Sequence, residues 1–317
     1  MVKIERILCP IDLTPESEEA LRYAVALACV YEAKLVLCHC GARSQAAAAG
    51  GEKEKESAGR LPAGIFEDAL APHLEMTDFS QLDWEGSLLE GDDPGVLITR
   101  EAAVRRTDLI VMRSRRRPFG AALLGSTVEA VCRTAPCSVL VTHPREREWV
   151  GATAGDICLE RVLVAHDFSD RSELGLQYGV SLAGRFGAEL HLLHVLREPE
   201  RDAPELAWVP GAEQGLYHSS VRRLQEAATG GFAAAGKVKP VVLRGRPYEV
   251  ILSYARENEI DLICMGADGV DRRPRALFGS NVDRVIRQAP YPVLVARPFK
   301  PAAAQAPQED SYRQAAD

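Results

Sequence analysis

A glycine-rich segment in the second half of the chain has the residue types and spacing of a phosphate-binding loop. Two residues separate Gly266 from Gly269, and nine more separate Gly269 from the run Gly279-Ser280-Asn281. Glycines lack a Cβ and tolerate positive φ, so backbone N–H groups can approach a phosphate closely. A helix that starts at this run would offer unpaired amides and a favourable dipole to an anion, and Ser280 adds a hydroxyl donor.

An aspartate precedes this segment by about one hundred residues and is predicted to face the same site. Asp167 follows the apolar run 160–166. In an open α/β sheet, ligands bind at the carboxyl ends of the strands, where the strand order reverses. If 160–166 and 261–265 are neighbouring strands, Asp167 flanks the glycine loop and can accept hydrogen bonds from ribose hydroxyls. Its alternative role is local, as acceptor for a backbone N–H before Ser169.

The same segments occur twice along the chain, in the same order and about 155 residues apart. The matching pairs are 6–14 with 161–169, 33–39 with 188–194, 107–112 with 260–265, and 135–141 with 289–295. Because the offset is nearly constant over four pairs, the pattern indicates an internal duplication.

Each repeat predicts the order β-α-β-α-β-α-β-α-β. Its short runs of Val, Ile and Leu are typical of strands buried on both faces of a parallel sheet, and helical patterns alternate with them. We therefore expect an α/β protein with two tandem doubly wound open parallel five-stranded sheets. The predicted strands are about 5–11, 34–39, 83–90, 108–112 and 137–142 in the first repeat, and about 160–166, 189–195, 238–244, 261–265 and 292–297 in the second.

Capping signals place the first helix of each repeat. Thr14 is predicted as an N-cap, with Pro15 at the first helical position, of a helix that runs to about Tyr31. Ser169 opens the corresponding helix, which is expected to end near Gly187.

Composition also predicts how the repeats are bounded. The expected segments are a first domain 1–143 with a mobile loop at 45–60, a linker 144–158, a second domain 159–298, and a flexible tail 299–317 rich in Pro, Ala and Gln.

The charge balance excludes one broad class of function. The 317 residues carry 38 Lys and Arg against 45 Asp and Glu, a formal net charge of -7. A non-specific nucleic-acid platform would need a basic surface. The chain also lacks the roughly 20-residue apolar stretch of a membrane helix and an apolar run at its start. We expect a cytoplasmic protein that binds neither membrane nor nucleic acid.

The eight cysteines do not follow a paired framework, so reduced thiols are expected. Cys9, Cys38 and Cys40 are candidates for a zinc or redox site in the first repeat, since they fall on two strands predicted to be neighbours. The alternative is that they fill the core. His194 occupies the place of His39 without neighbouring thiols, which favours a packing role for both histidines.

The motif Gly-x2-Gly-x9-Gly-Ser-Asn after a strand that ends Ile-Cys-Met resembles the nucleotide motif of the universal stress protein (UspA-like) family. The aspartate that ends the first strand and the closing Ala-Pro-Tyr-Pro-Val-Leu-Val segment also match. The resemblance covers both repeats and implies a tandem two-domain protein of the adenine nucleotide alpha hydrolase-like fold, with strand order 3-2-1-4-5. It also implies an ATP ligand, with magnesium accompanying the phosphates.

The same resemblance implies the nucleotide contacts. By the family's pattern Val195 and Met265 would bracket the adenine. The full expected set is Ala165, Asp167, Val195, Met265, Gly266, Gly269, Gly279, Ser280 and Asn281.

The first repeat departs from this motif. Arg113 and Arg116 stand where the second repeat has Gly266 and Gly269, although Asp12 and Gly125-Ser126 remain. An arginine there is expected to intrude where phosphate must approach and to disfavour positive φ, so we expect no family-type ATP binding in this repeat.

The arginines themselves leave two interpretations open. Arg113, Arg115, Arg116 and Arg117 either form an anion site or guanidinium plug in the vacated crevice, or belong to a solvated loop.

Three functions follow for the whole chain. The leading one is an ATP-binding stress-response regulator with nucleotide in the second domain. The alternatives are a slow ATPase, with Arg272, Arg273 and Arg275 near the phosphates, and a nucleotide-independent interaction module. Against an enzyme, residues 266–281 contain no lysine and no G-x-x-x-x-G-K-[ST] loop is present. In the family, last strands commonly pair, so 137–142 and 292–297 predict an intramolecular pseudo-dimer or a homodimer.

Overall fold

A computed structural model of the chain describes residues 2–12, 14, 17–41, 64–74, 82–114, 125–143, 148–151, 156–197, 212–229, 237–267 and 279–299. Several predicted features lie outside these residues, namely Gly269, Arg115, Arg116, Arg117, Arg272, Arg273, Arg275, the loop 45–60 and the tail beyond 299.

Within these ranges the chain forms ten strands and eight helices. The N-terminal repeat comprises β1 (Arg6–Pro10), α1 (Ser17–Tyr31), β2 (Lys34–Gly41), α2 (Ile65–Leu74), β3 (Trp84–Glu90), α3 (Pro94–Val104), β4 (Leu109–Arg113), α4 (Ser126–Thr134) and β5 (Ser138–Thr142). The C-terminal repeat comprises β6 (Arg161–Ala165), α5 (Asp170–Phe186), β7 (Glu189–Leu196), α6 (Ala212–Thr229), β8 (Val238–Arg244), α7 (Pro247–Glu257), β9 (Leu262–Gly266), α8 (Ser280–Gln288) and β10 (Val293–Ala296).

The strands form one sheet in the order β3-β2-β1-β4-β5-β10-β9-β6-β7-β8. Inside each repeat all neighbours are parallel and follow the order 3-2-1-4-5, which confirms the predicted α/β fold. The two five-stranded sheets are nevertheless joined, because β10 pairs antiparallel with β5, for example Leu294 with Leu140. Pairing the last strands in this way satisfies backbone groups that each sheet would otherwise expose at an edge.

Helices cover both faces of this sheet. The first face carries α1, α2, α5 and α6, and the second face carries α3, α4, α7 and α8, each with its own continuous apolar core. Both cores run through strands of both repeats, so burial of apolar side chains joins the repeats as well as their backbones.

The first helix of the C-terminal repeat is capped as predicted. Ser169 is the N-cap of α5 and forms a reciprocal capping box with Ser172. The helix ends at Gly187, whose φ of 71° is the left-handed conformation that glycine adopts without strain. This capping fixes the start of α5 directly after Asp167.

The segment between the repeats is packed into the first face. Trp149 is 1% exposed, and its ring lies 4.8 Å from the ring of Tyr23 on α1 and 5.9 Å from that of Phe186 on α5. Its backbone N–H donates to the Tyr23 hydroxyl at 3.1 Å. Composition alone predicts a linker here, but a buried tryptophan makes this segment part of the core shared by the two repeats.

Polar contacts tie the repeats together on the second face. Arg287 on α8 forms ion pairs at 2.9 Å with Glu129 on α4 and with Asp283 on its own helix. Arg297, just after β10, donates to the carbonyl oxygen of Arg133 at 3.1 Å. These contacts join α4 and α8, the helices that begin after Gly125 and Gly279.

Candidate functional site

The C-terminal cleft lies at the carboxyl ends of β6, β7 and β9, where the strand order reverses. It encloses about 360 Å³. Eight of the nine residues predicted to contact a nucleotide line it, and the ninth, Gly269, is outside the described residues. The eight are Ala165, Asp167, Val195, Met265, Gly266, Gly279, Ser280 and Asn281. Segments far apart in sequence thus meet at the position where doubly wound sheets bind ligands.

One wall of the cleft is apolar. Val195 and Met265 extend from β7 and β9 toward the second face, and Ile251 on α7 lies beside them in the same core. Met265 is only 5% exposed. A flat apolar group such as a purine base is the kind of ligand that this wall can bury.

Asp167 combines the two roles considered for it. Its Oδ1 accepts hydrogen bonds from the backbone N–H of Ser169 at 3.1 Å and from the Ser169 hydroxyl at 2.5 Å. These contacts are local, as the alternative interpretation predicts, yet the residue also lines the cleft. The turn therefore holds a carboxylate at the rim, within the same cleft as the apolar wall.

Gly266 is required for helix packing rather than for an unusual backbone conformation. A Cβ on Gly266 would lie 2.4 Å from the backbone carbon and oxygen of Arg171 on α5. Such a distance is far inside van der Waals contact, so only glycine lets β9 and α5 approach this closely. The expectation of positive φ is wrong here, because Gly266 is not among the glycines with positive φ and Gly279 has a φ of −55°.

The start of α8 also borders the cleft. Gly279 donates its N–H to the carbonyl of Ala267 at 3.1 Å, and no side chain of the described residues caps the helix. The amides of the first turn at Ser280 and Asn281 therefore border the cleft at the positive end of a helix dipole. This is the chemistry that an anionic group such as a phosphate needs.

His166 is a cleft residue that the sequence reasoning missed. Its Nδ1 accepts the backbone N–H of Phe168 at 3.2 Å, and its Nε2 faces a Glu173 carboxylate oxygen at 3.4 Å. Burial lowers the pKa of His166, although Glu173 acts in the opposite direction. Because Nδ1 accepts a backbone N–H, Nε2 is the ring nitrogen that carries a proton toward Glu173. Its position directly before Asp167 is the signal that could have identified it.

His194 and His39 make the same structural contact in the two repeats. The Nδ1 of His194 donates to the carbonyl of His166 at 2.8 Å, and the Nδ1 of His39 donates to that of Ile11 at 3.0 Å. Each imidazole thereby ties the end of β7 or β2 to the residue after the neighbouring first strand. This repeated bond agrees with the packing role that the sequence comparison favours for both.

The N-terminal repeat contains a corresponding cleft of about 320 Å³. Asp12, Met112, Gly125 and Ser126 line it, and Asp12 accepts the backbone N–H of Thr14 at 3.1 Å, as Asp167 accepts that of Ser169. The glycine motif is absent from this repeat, but a cleft is still present at this end of its sheet.

Arg113 is the last residue of β4 and contacts α1, so it does not belong to a solvated loop. Its Nε lies 3.0 Å from a carboxylate oxygen of Glu19 on α1, and the side chains are 15% and 9% exposed. Burial raises the pKa of Glu19 to about 7, against the opposing effect of the Arg113 charge. Arg113 nevertheless still lines the N-terminal cleft, and Arg116, the other arginine expected to intrude on a phosphate path, lies outside the described residues.

The three cysteines proposed for a metal or redox site do not converge. Cys9 belongs to the core of the first face, whereas Cys38 and Cys40 belong to that of the second. Burial raises the pKa of Cys9 to about 12 and that of Cys40 to about 11, so the thiols are protonated at neutral pH. Within the described part of the chain, no group of three or more His, Cys, Asp or Glu residues could hold a metal ion.

The helices of the described ranges give no sign of a membrane span. None of them is both long enough and apolar enough to cross a bilayer.

Comparisons with known proteins agree with the fold and the duplication. The family model described as the universal stress protein family matches residues 3–143 and again residues 159–297. A universal stress protein of Thermus aquaticus is 30% identical over 138 residues, which is 43% of this chain and 97% of that protein. A crystal structure of a putative universal stress protein from Pseudomonas aeruginosa covers 93% of this chain and 94% of its own, with a TM-score of 0.67 and 20% identity. A universal stress protein structure from Archaeoglobus fulgidus covers 93% and 96%, with a TM-score of 0.62 and 22% identity.

Proposed function

The chain belongs to the universal stress protein family as a tandem member, and we propose that it is an ATP-binding stress-response regulator with its nucleotide in the C-terminal cleft. The observation that carries the proposal is the meeting of an apolar wall, a rim carboxylate and an uncapped helix start in one cleft of about 360 Å³. These three features correspond to the base, the ribose and the phosphates of one ligand.

Each part of the nucleotide has a partner of suitable chemistry. The adenine would lie between Val195 and Met265, and Asp167 would accept hydrogen bonds from ribose hydroxyls. The phosphates would lie against the amides at Ser280 and Asn281, where the helix dipole favours negative charge. A magnesium ion would be held through phosphate oxygens and water, as this ion commonly is in nucleotide sites.

Binding would act on a surface shared by the two repeats. The helix α8 that receives the phosphates carries Arg287, which is paired with Glu129 on α4. We propose that the repeats, taken as domains 1–143 and 159–298, work as an intramolecular pseudo-dimer through the β5–β10 pair. Nucleotide occupancy would then alter a surface that a protein partner reads.

A matched pair of aspartate variants tests the proposal. Asp167→Ala removes the rim carboxylate of the C-terminal cleft, and Asp12→Ala removes a carboxylate with the same local bonds, at 3.1 Å and 2.5 Å to Thr14, in the other repeat. Calorimetric titration with ATP should show a loss of about tenfold to hundredfold in affinity for Asp167→Ala, since a lost hydrogen bond to a charged group costs about 1.5–3 kcal/mol. Asp12→Ala should leave the affinity unchanged. Equal effects of the two variants, or no saturable binding by the parent chain, would refute the proposal.

A further inference from the structure

We infer that His166 is a positioning residue of the proposed nucleotide site, because its neutral imidazole holds the turn that presents Asp167 at the rim of the C-terminal cleft. The inference rests on the proposed function, since it concerns the carboxylate that would meet the ribose. His166 is not among the nine residues that the family resemblance implies. Its role makes ligand binding in this cleft weaker in acid, where the imidazole is charged.

The turn between β6 and α5 contains a residue in an unfavourable backbone conformation. Phe168 follows Asp167 directly and has a φ of 64°, in the left-handed region that disfavours residues with a Cβ. Such strain persists only where the surrounding contacts hold the backbone in place. The position of Asp167 on the rim therefore depends on the contacts that Phe168 makes.

The imidazole of His166 contacts the backbone of this strained residue. Its Nδ1 accepts the N–H of Phe168 at 3.2 Å, and the backbone N–H of His166 donates to the carbonyl of Leu193 on β7 at 2.8 Å. His166 is 6% exposed and lines the cleft beside Asp167. It thus connects the strained turn to the sheet.

The ring of Phe168 is held separately, by two other elements. Its centroid lies 4.4 Å from that of His194 on β7, and the guanidinium carbon of Arg223 on α6 lies 3.8 Å from it. These contacts fix the side chain, whereas His166 fixes the backbone. A change at Nδ1 of His166 is therefore expected to open the turn locally and to leave the fold intact.

Protonation of His166 turns its Nδ1 from an acceptor into a donor. The added proton would point at the Phe168 N–H, so that two donors would face each other across 3.2 Å. His194 differs, because its Nδ1 already donates to the carbonyl of His166 and keeps this bond when the ring is charged. Of the two histidines at this turn, His166 is the one whose charge state acts on the backbone.

Charged and titratable groups surround His166 on the turn and on three packed elements. Glu173 on α5 faces its Nε2 at 3.4 Å, Asp167 adjoins it in the turn, and His194 lies beside it on β7. Arg223 on α6 lies over the adjacent aromatic ring. The two carboxylates favour the charged imidazole, whereas burial and His194 disfavour it.

Burial is the largest of these effects and lowers the pKa of His166 from its ordinary value of 6.5. An open turn would return the ring to water and to that ordinary value. The closed turn therefore binds the proton less tightly than the open turn does. Closure is fully favoured above pH 6.5 and loses its advantage as the pH falls through the lowered pKa.

The N-terminal repeat offers a matched turn without an imidazole. Ile11 stands at the place of His166, and Asp12 still accepts the N–H of Thr14 at 3.1 Å. An apolar residue at this place is compatible with the fold, so His166→Ile should fold. His166→Asn keeps an acceptor, since the amide oxygen can take the place of Nδ1, but it does not titrate.

Calorimetric titration of the full chain with ATP tests the inference at about pH 7.5 and about pH 5, which bracket the titration of histidine. Comparing proteins at the same pH cancels the titration of the phosphates. At the higher pH the parent and His166→Asn should bind equally. His166→Ile should bind about threefold to tenfold more weakly, as expected for one lost hydrogen bond. At the lower pH the parent should approach His166→Ile, and His166→Asn should bind more tightly than both.

Hydrogen exchange at the Phe168 amide provides a second measurement that needs no ligand. Its protection factor, which corrects for the intrinsic effect of pH on exchange, should fall in the parent between the higher and the lower pH. The factor should stay constant in His166→Asn. His194→Asn is the control for the second imidazole and should leave the fall in place.

The outcomes distinguish this inference from the proposed function. If ATP binds, but the change in pH alters the affinities of the parent and His166→Asn by the same factor, the inference is refuted and the proposed function stands. Tighter binding by the parent than by His166→Asn in acid would also refute it, since the charged imidazole would then attract the phosphates. If Phe168 loses protection in the parent but not in His166→Asn, and no ATP binds, His166 still holds the turn and the proposed function fails.

Discussion

The two clefts of this chain differ most at one place, the contact between the fourth strand of each repeat and the first helix. In the C-terminal repeat Gly266 lets the α5 backbone approach closely, and Leu174 packs against the adjoining core. At the same positions the N-terminal repeat has Arg113 and Glu19, which form a nearly buried ion pair. The two repeats thus fill the corresponding positions differently, with Gly266 and Leu174 in one repeat and the charged side chains of Arg113 and Glu19 in the other.

The N-terminal repeat lacks the glycine motif but still has a pocket. Judged by its glycines, the N-terminal repeat has lost its site, yet its cleft differs little in volume from the other, about 320 Å³ against 360 Å³. In the C-terminal repeat Gly266 allows a close approach to α5, whereas in the N-terminal repeat Arg113 lies beside Glu19 on α1. A degenerate sequence motif thus does not by itself indicate loss of the pocket.

The largest predicted effect is on stability, and it tests whether the two repeats unfold as one cooperative unit. Trp149→Ala should destabilise the chain by about 3–5 kcal/mol, because it empties a site between Tyr23 and Phe186. Chemical denaturation followed by far-UV circular dichroism would measure this. Trp149→Phe is the control and should cost less, since the buried indole N–H has no hydrogen-bond partner among the described residues. A loss confined to one of two separate transitions would show that the repeats unfold independently.

The next prediction concerns the ion pair and its dependence on pH. Burial raises the folded-state pKa of Glu19 from 4.5 to about 7, so the folded chain binds this proton more tightly than the unfolded chain does. The favourable contribution is fully present below pH 4.5 and is lost as the pH rises through about 7. Glu19→Gln removes this dependence. Relative to the parent chain, the variant should therefore gain up to about 3 kcal/mol between acid and mildly alkaline pH.

Unfolding free energies of both proteins across this pH range would check the prediction. A constant difference between them would mean that Glu19 is not the buried acid described here.

A smaller effect on stability is expected from replacing Gly266, the residue of the C-terminal repeat that corresponds to Arg113. Gly266→Ala should cost about 2 kcal/mol, because the added methyl group would overlap the α5 backbone at Arg171. Gly215→Ala is the matched control, since a Cβ there meets nothing within 4 Å and lies on a helix. Thermal denaturation of both variants gives the difference. Equal stabilities would show that the close approach of β9 and α5 is not needed.

The sequence contains enough information for the order and placement of the elements. Strand runs such as 34–39 and 189–195 are local signals, and the constant offset between repeats makes each one support the other. Eight of the nine nucleotide residues implied by the family resemblance also meet in one cleft, since the carboxyl ends of β6 and β9 are adjacent in this topology.

What the sequence could not provide depends on contacts between distant segments. Nothing near Arg113 in the sequence indicates that Glu19 will lie beside it, or that the missing Cβ of Gly266 faces a helix rather than a ligand. Trp149 likewise lies in a segment whose composition is typical of a linker, and only the packing of α1 against α5 creates a site for it.

The most direct test of the account is the number of ATP molecules that the full chain binds at equilibrium, counted by calorimetric titration of the nucleotide-free protein. One site per chain is predicted, because only the C-terminal repeat keeps the glycine motif beside its apolar wall and its helix start. Two equivalent sites would contradict the distinction drawn between the clefts, and the absence of any saturable site would contradict the proposed function itself.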